Sequence, residues 1–185
     1  PNQHIIFDVT SAKPEIIEED NKKRFIPLNV EGIRLNSMGF ILDNEKAAIW
    51  RGPMLSSAIK QLSELTKWGD LDYLLIDMPP GTGDAYLTVF KELNIDEFIL
   101  ITTPNKLAIS DTQKTITMLR KLNINILGFI SNNIFNVKNF DDSFFLSNKI
   151  DHLGTYEFDK NILDLNLDFN CLVSNKISKV IMSDV

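Results

Sequence analysis

The sequence predicts an α/β protein with a doubly wound, mostly parallel sheet and flanking helices. From residue 71 onward, short apolar runs rich in β-branched residues alternate with stretches of helical periodicity. The connections between them are short, which is typical of right-handed βαβ units. One apolar run ends on an aspartate that a turn rich in proline and glycine follows, and ligands of open parallel sheets bind beyond such strand ends.

Residues 1–24 are predicted to be irregular. The run Glu18-Glu-Asp-Asn-Lys-Lys-Arg24 is charged and has no apolar period, so a solvated loop is expected there. Residues 25–29 and 32–42 then supply one or two strands, and residues 43–46 form a turn. The α/β core is therefore expected to begin at residue 25.

A helix is predicted from Trp50-Arg-Gly-Pro-Met54 onward. Pro53 suits the first helical turn, because the N–H that proline lacks has no intrahelical partner there. Apolar residues at helical spacing then define one face of the helix: Leu55, Ala58, Ile59, Leu62 and Leu65. Trp68-Gly69 is expected to close the helix, with glycine in the C-terminal capping role.

The central stretch of the chain is Leu71-Asp-Tyr-Leu-Leu-Ile-Asp-Met-Pro-Pro-Gly-Thr-Gly-Asp84. Residues 73–76 are predicted to form a buried strand that stops at Asp77, because the prolines and glycines that follow continue neither strand nor helix. Asp84 is expected to N-cap a helix beginning at Ala85. An acid at a strand end can hold Mg²⁺ or its water, and the N–H groups of a glycine-rich turn can face phosphate oxygens. An ordinary strand–turn–helix connection has the same pattern, so the residues alone leave both interpretations open.

Three further strands are predicted, at residues 97–103, 124–130 and 152–156, the last of them at an edge of the sheet. The segment 110–113 resembles a capping box, so a helix is expected after it. That helix buries Ile116 and Leu119 and ends on Arg120-Lys121, which favours the C-terminal end of the helix dipole. Residues 134–150 lose the pattern, and residues 177–182 are compatible with a short helix or a strand.

Composition excludes several classes of function. The net charge of the 185 residues is −6 and no basic cluster occurs, which argues against binding nucleic acid or an anionic membrane through bulk charge. Cys171 is the one cysteine, so no intrachain disulfide framework is expected. No apolar run has the length of a membrane span, and the N-terminus lacks the form of a signal peptide, so the cytoplasm is the expected location.

Several segments, in this order, resemble the Mrp (ApbC) family, cytosolic ATPases of the MinD/ParA group that carry iron–sulfur clusters. Asp77-Met-Pro-Pro-Gly-Thr-Gly-Asp84 resembles the switch II segment of that family. Three further parts of the chain match family segments: Trp50 to Met54, Thr102-Thr-Pro104 with Asp111, and Leu127-Gly-Phe-Ile-Ser-Asn132. The resemblance covers roughly residues 28–133 and implies a fold like that of P-loop NTPases.

The resemblance also implies roles for individual residues. Asp77 is expected to be the catalytic acid, acting through Mg²⁺ or the attacking water, and Gly81 to point its N–H toward the γ-phosphate. Asn132 is expected to contact adenine, although an asparagine here also suits a turn. The remaining switch residues are Pro79, Pro80, Thr82, Gly83 and Asp84. Arg51 and Asp111 are candidate dimer contacts, with a surface ion pair as the alternative for Arg51.

The sequence lacks two motifs of the family. No Gly-x-x-x-x-Gly-Lys-Ser/Thr occurs in it, so the phosphate-binding loop is expected before Pro1 and this stretch alone is expected not to hydrolyse ATP. Family members that carry a cluster use a Cys-x-x-Cys pair after the adenine-side strand, where residues 134–144 contain no cysteine. Cys171 is expected to be a small buried residue rather than a ligand, so no [4Fe–4S] cluster is expected in this chain.

The sequence therefore predicts one incomplete nucleotide-binding domain over residues 1–185: an irregular start at 1–24, an α/β core at 25–133 and a divergent part at 134–185. The predicted function is the C-terminal part of an ATP-binding iron–sulfur cluster carrier, inactive in this truncated form. The resemblance implies that the intact form is a homodimer that transfers clusters to apoproteins. A non-catalytic interaction module or gene remnant is the alternative, and a MinD/ParA-type positioning ATPase is a weaker one.

Overall fold

The computed structural model describes residues 3–41, 52–78, 83–138 and 140–157. The chain divides into two compact units, Pro1–Asn94 and Ile95–Val185. The first unit contains α1 (Gln3–Ile6), β1 (Glu15–Glu19), β2 (Lys22–Ile26), β3 (Leu28–Val30), β4 (Ile33–Leu35), α2 (Met38–Ile41), α3 (Gly52–Glu64) and α4 (Asp84–Glu92). The second contains β5 (Glu97–Thr102), α5 (Lys106–Lys121), β6 (Asn125–Asn133), α6 (Ser143–Ser147) and β7 (His152–Glu157).

The charged run near the N-terminus is a hairpin, so the prediction of an irregular start was wrong for these residues. Strands β1 and β2 pair antiparallel and set Glu18 opposite Lys23 and Glu19 opposite Lys22. Asp20 and Asn21 both have positive φ, 53° and 58°, as the two-residue turns that match strand twist require. Facing opposite charges stabilise the pair, so a charge run that indicated a loop stabilises a ladder instead.

Strands β3 and β4 form a second antiparallel pair, and the segment after them is helical rather than extended. The expected strand over residues 32–42 therefore ends at Leu35, and α2 follows. The Ser37 hydroxyl oxygen accepts from the N–H of Gly39 at 3.2 Å, and the Ser37 carbonyl accepts from the N–H of Phe40 at 3.0 Å. Serine side chains that bond to nearby backbone in this way initiate helical turns.

Helix α3 is confirmed, but Gly69 does not cap it. The helix ends at Glu64, and Phe25 exchanges backbone hydrogen bonds with Leu65 and Lys67 directly after it, at 2.7 and 2.9 Å. Gly69 has a φ of +66°, and a Cβ on it would lie 2.7 Å from Arg34 Nη1. Arg34 Nη1 donates to the carbonyls of Trp68 and Asp70 on either side, so Gly69 lets the chain wrap around a guanidinium group.

Residues 71–78 are not a strand in this structure, which corrects the predicted strand over residues 73–76. No described strand pairs with them, and Leu75 keeps 80% of its surface exposed. Apolar composition favours burial, but an extended segment becomes a strand only when a neighbouring strand pairs with its N–H and C=O groups. The helix after the turn is confirmed as α4, with Gly83 rather than Asp84 at the N-cap position.

The second unit contains the predicted parallel sheet. Its strands lie in the order β5-β6-β7, both pairs are parallel, and β7 is an edge of the described sheet as expected. Helix α5 buries Ile116 and Leu119, as predicted. It begins at Lys106, however, because the Asn105 side chain accepts from the N–H of Ala108 at 2.9 Å. The expected capping box at 110–113 therefore lies inside the helix.

The core of the second unit is centred on β6. Phe129 is fully buried and stacks on Phe145 of α6, with ring centroids 3.9 Å apart. Gly128 leaves no room for a side chain: a Cβ on it would lie 2.6 Å from the Asp151 carbonyl oxygen and 2.6 Å from Cγ of Leu153 on β7. No helix within the described residues is long and apolar enough to cross a membrane. The predicted turn at 43–46 and the segment 177–182 lie outside the described residues.

Candidate functional site

Asp77 lies in an irregular, exposed segment of the first unit. Its Oδ2 accepts a hydrogen bond of 2.5 Å from Nε2 of Gln3, a residue 74 positions earlier on α1. Within the described chain no other side chain donates to this carboxylate. A carboxylate accepts up to about four hydrogen bonds, so most of its capacity remains available to a cation or to water.

Helix α4 carries Tyr86, a buried residue whose ionisation responds to Asp77. The helix packs against α3, where Thr88 Oγ1 donates to Ser56 Oγ at 2.8 Å, and its residues Ala85, Tyr86 and Val89 are buried. Burial raises the pKa of Tyr86, and the negative charge of Asp77 raises it further. This effect of Asp77 agrees with a position of the phenol on the same side of the first unit as the carboxylate.

The turn between Asp77 and α4 is described only at its end. Pro79, Pro80, Gly81 and Thr82 lie outside the described residues, as does Arg51. Gly83 is the exposed N-cap residue of α4, and its carbonyl accepts from the N–H of Tyr86 at 3.0 Å. Asp84 is the first residue of the helix, and its side chain also lies outside the description. The N–H groups that open α4 follow Asp77 by only a few residues, as an anion-binding turn requires.

Two neighbouring asparagines at the end of β6 have different roles. Asn133 is buried and shapes the turn: its Oδ1 accepts from the N–H of Val137 at 2.8 Å, and its Nδ2 donates to the Val137 carbonyl and to Glu157 Oε2, both at 3.0 Å. Asn132 is half-buried on the opposite face of the strand. No described group forms a hydrogen bond with its side-chain amide. The turn role considered for Asn132 thus belongs to Asn133, which leaves the Asn132 amide available.

A cavity of about 280 Å³ lies on the face of the sheet opposite Asn132. Its lining includes Ser131, Lys138, Asp142, His152 and Thr155. The Ser131 hydroxyl is completely buried and has no hydrogen-bond partner within the described chain. The exposed His152 ring stacks on the buried ring of Phe129 with centroids 4.6 Å apart, so this histidine covers one side of the aromatic core.

The remaining predicted site residues to place are Asp111 and Cys171. Asp111 is exposed on α5 and pairs with Lys114 at 2.8 Å, one turn along the same helix. Cys171 lies outside the described residues. In the described part of the chain, no three histidine, cysteine or acidic residues are grouped so that they could hold a metal ion.

Sequence reasoning missed Gln3 and Asn133. Nothing in the local pattern around Gln3 indicates a contact with a residue 74 positions away. The Asn132-Asn133 pair did signal a turn, but only the pleat of the strand decides which asparagine faces it.

Proteins of similar sequence identify the family of this chain. A sequence model of the ParA family, described as NUBPL iron-transfer P-loop NTPase, matches residues 1–163. The "iron-sulfur cluster carrier protein" of Pseudomonas fragi is 41% identical over 133 residues, which cover 71% of this chain and 45% of that protein. The protein of the same name from Rickettsia conorii is 46% identical over 116 residues, 63% of this chain and 36% of the relative. The chain thus spans less than half the length of these relatives.

Solved structures show the same fold. The nucleotide-binding protein of Archaeoglobus fulgidus, in complex with ADP, superposes with a TM-score of 0.68 at 26% identity, covering 89% of this chain and 68% of that one. The cell division ATPase MinD of Pyrococcus furiosus gives 0.55 at 20% identity, covering 78% and 63%, and supports the fold alone. The predicted α/β, P-loop NTPase-like fold is confirmed, and the chain belongs to the Mrp family of ParA-type iron-transfer P-loop NTPases.

Proposed function

We propose that these residues form part of an ATP-dependent carrier that delivers iron–sulfur clusters to apoproteins. The observation that carries the proposal is the family match over residues 1–163, together with relatives named iron-sulfur cluster carrier protein. The ADP bound to the Archaeoglobus fulgidus structure supports a nucleotide as ligand. Because the chain spans less than half of those relatives, the activity is assigned to the full-length gene product and not to these residues alone.

Asp77 is the proposed catalytic residue, whose carboxylate acts through Mg²⁺ or the attacking water. Its carboxylate is exposed, retains free acceptor capacity and precedes the N-terminus of α4, which suits a hard cation or its water. Mg²⁺, when bound with ATP, neutralises charge on the phosphates. The Gly81 N–H is proposed to face the γ-phosphate, with Pro79, Pro80, Thr82, Gly83 and Asp84 holding the switch.

Asn132 is the proposed adenine contact. Its amide offers both a donor and an acceptor, as recognition of a base edge requires. In the described structure Asn133 holds the turn, so the Asn132 amide has no competing task. This assignment rests on an available amide at the carboxyl end of a parallel strand, where ligands of such sheets bind.

The cluster is treated as cargo. The residues present do not fit a [4Fe–4S] cluster, which takes four thiolates, because the sequence has only Cys171 and a homodimer would offer two. We therefore assign nucleotide response to this stretch and cluster ligation to residues outside it. A homodimer with Arg51 and Asp111 at its contact, and a cytoplasmic location, complete the proposal by analogy with the family.

A second candidate is a non-catalytic binding module. Four large apolar residues of the first unit are exposed in one segment: Leu71, Tyr73, Leu74 and Leu75. Exposed apolar side chains that form one patch are typical of a surface that another polypeptide covers, and this segment is a candidate for such a surface. The absence of a phosphate-binding loop motif from these 185 residues agrees with this reading as well.

One experiment separates the two candidates. Purified full-length gene product is assayed for Mg²⁺-dependent ATP turnover as wild type, as Asp77→Asn and as Asp72→Asn, a matched control in the same exposed segment. If the protein is an ATP-dependent carrier, Asp77→Asn should lower kcat at least about a hundredfold and should change the affinity for ATP much less. The reason is that the loss of a group that acts in the transition state lowers kcat. Asp72→Asn leaves turnover unchanged.

Full turnover by Asp77→Asn would disprove the role of Asp77, and absence of ATP turnover in the wild type would favour the binding module. The 185-residue chain by itself supplies a further check. Calorimetry should show no ATP binding tighter than about 1 mM, since a few isolated hydrogen bonds do not offset the entropy of association. Anaerobic reconstitution should leave no [4Fe–4S] chromophore, and a stoichiometric band that Cys171→Ser removes would contradict the assignment of cluster ligation.

A further inference from the structure

The contact between Gln3 and Asp77 joins two parts of the first unit that are far apart in sequence. Gln3 Nε2 lies 2.5 Å from Asp77 Oδ2, across 74 residues of chain. Asp77 belongs to an irregular segment with no strand partner in the described chain, so the pleat of a sheet does not set the direction of its side chain. A side-chain contact is therefore what orients this carboxylate.

Helix α1 has the anchoring that such a task requires. The Gln3 carbonyl accepts from the N–H of Phe7, and the His4 carbonyl from the N–H of Val9, both at 2.9 Å. The next side chain along, His4, meets the ring of Phe40 edge-on with centroids 6.0 Å apart, which fixes α1 against α2. The backbone of Gln3 is thus held from two sides while its side chain reaches Asp77.

The chemistry of an amide suits an acid that must also serve a cation. An amide N–H donates to the carboxylate without adding charge, whereas a lysine or arginine would form an ion pair that competes with the metal. Among the described residues only Gln3 donates to this carboxylate, and it engages one oxygen, so the other remains available. Hydrogen bonds to an ionised acceptor are stronger than neutral ones and fix geometry accordingly.

We propose that Gln3 is the positioning residue of Asp77: its amide holds one carboxylate oxygen so that the other faces the metal or its water. This inference rests on the proposed function, because it concerns the task assigned to Asp77. Gln3 itself touches neither nucleotide nor metal and acts only through Asp77.

The first test uses full-length gene product and varies Mg²⁺ at saturating ATP. Gln3→Leu should lower kcat and raise the Mg²⁺ concentration for half-maximal turnover, each by about threefold to tenfold. A change of this size is expected from the loss of one hydrogen bond to a partly solvated charge. The KM for ATP and the melting temperature should stay unchanged. Gln3→Glu, which sets a second negative charge beside Asp77, should cause a larger loss of kcat. Gln113→Leu, the same replacement at an exposed position of α5, should change nothing.

The second test uses the 185-residue chain and needs no turnover. In ¹⁵N-resolved NMR spectra, the Gln3 side-chain amide should show one proton shifted downfield and protected from solvent exchange. Asp77→Leu should remove both features, and Asp72→Leu should leave them. A Gln3 amide with the shifts of a free glutamine would overturn the inference, as would wild-type kcat and Mg²⁺ dependence in Gln3→Leu. If the full-length wild type lacks turnover, the proposed function fails, and the NMR result still decides whether Gln3 holds Asp77.

Discussion

The sheet of the second unit and residues 71–78 of the first have similar sequences and different structures. Both contain short apolar runs that end on polar residues and lead into a helix. Residues 97–102 became β5, with a parallel partner along their whole length, whereas residues 71–78 have no strand partner in the described chain. The comparison shows that an apolar run favours burial. A strand additionally requires a second strand at hydrogen-bonding distance.

The largest expected effect comes from making the same substitution in both regions. Leu100 in β5 is 3% exposed and Leu75 is 80% exposed. Leu100→Ala should lower the free energy of unfolding by about 2–5 kcal/mol, because it leaves a cavity in a packed core. Leu75→Ala should change it by less than about 0.5 kcal/mol, as is usual for surface positions. Urea unfolding of the 185-residue chain measures both, and equal losses would show that residues 71–78 are buried in solution.

The next effect concerns how closely the strands of the sheet approach each other. Gly128→Ala places a methyl group 2.6 Å from the Asp151 carbonyl oxygen and from Leu153 Cγ. Backbone cannot yield as a flexible side chain does, so we expect a loss of about 1–3 kcal/mol in unfolding free energy. Thermal unfolding of Gly128→Ala beside Gln113→Ala, an exposed helical control, gives the measurement. A melting temperature equal to that of the control would contradict the close approach of β6 and β7.

A smaller effect tests whether local turn chemistry sustains structure in the first unit. Asn21 has a φ of 58° in the two-residue turn between β1 and β2. Asn21→Ala should destabilise the hairpin by about 1 kcal/mol, because alanine tolerates positive φ poorly, whereas Asn21→Gly should keep or improve it. Amide hydrogen exchange across residues 15–26 reports the change. Identical exchange in the two variants would refute the turn geometry.

The smallest effect is electrostatic and lies beside the proposed catalytic acid. Burial, and then the charge of Asp77, raise the pKa of Tyr86 above its ordinary value of 10.0. The folded state therefore holds this proton more tightly than the unfolded state, so the associated stability is present below pH 10.0 and is lost as pH rises through the raised pKa. Asp77→Asn should lower the pKa of Tyr86 while burial keeps it above 10.0, measured by ¹³Cζ NMR titration. Asp72→Asn is the control. If Asp77→Asn leaves the pKa of Tyr86 unchanged, the two groups are too far apart to interact.

The candidate functional residues show the same difference between what a short stretch of sequence predicts and what it does not. Asp77 and Asn132 were predicted from motifs, because a motif keeps its residues together along the chain. The contact from Gln3, the turn held by Asn133 and the coupling of Asp77 to Tyr86 were not predicted. Each of these depends on which face of an element a side chain occupies or on contacts over long sequence distances, and neither is encoded in a short window.

By itself the sequence determined β5, α5, β6 and β7 of the second unit, the positions of α3 and α4, and the family to which the chain belongs, but not α6. Those features follow from periodicity, turn residues and motifs, which act over a few residues. Only the tertiary structure decided that charged residues 15–26 form a ladder, that apolar residues 71–78 do not, and that Asn105 rather than residues 110–113 begins α5. The physical reason is that a hydrogen-bond partner, unlike hydrophobicity, is a property of two segments and not of one.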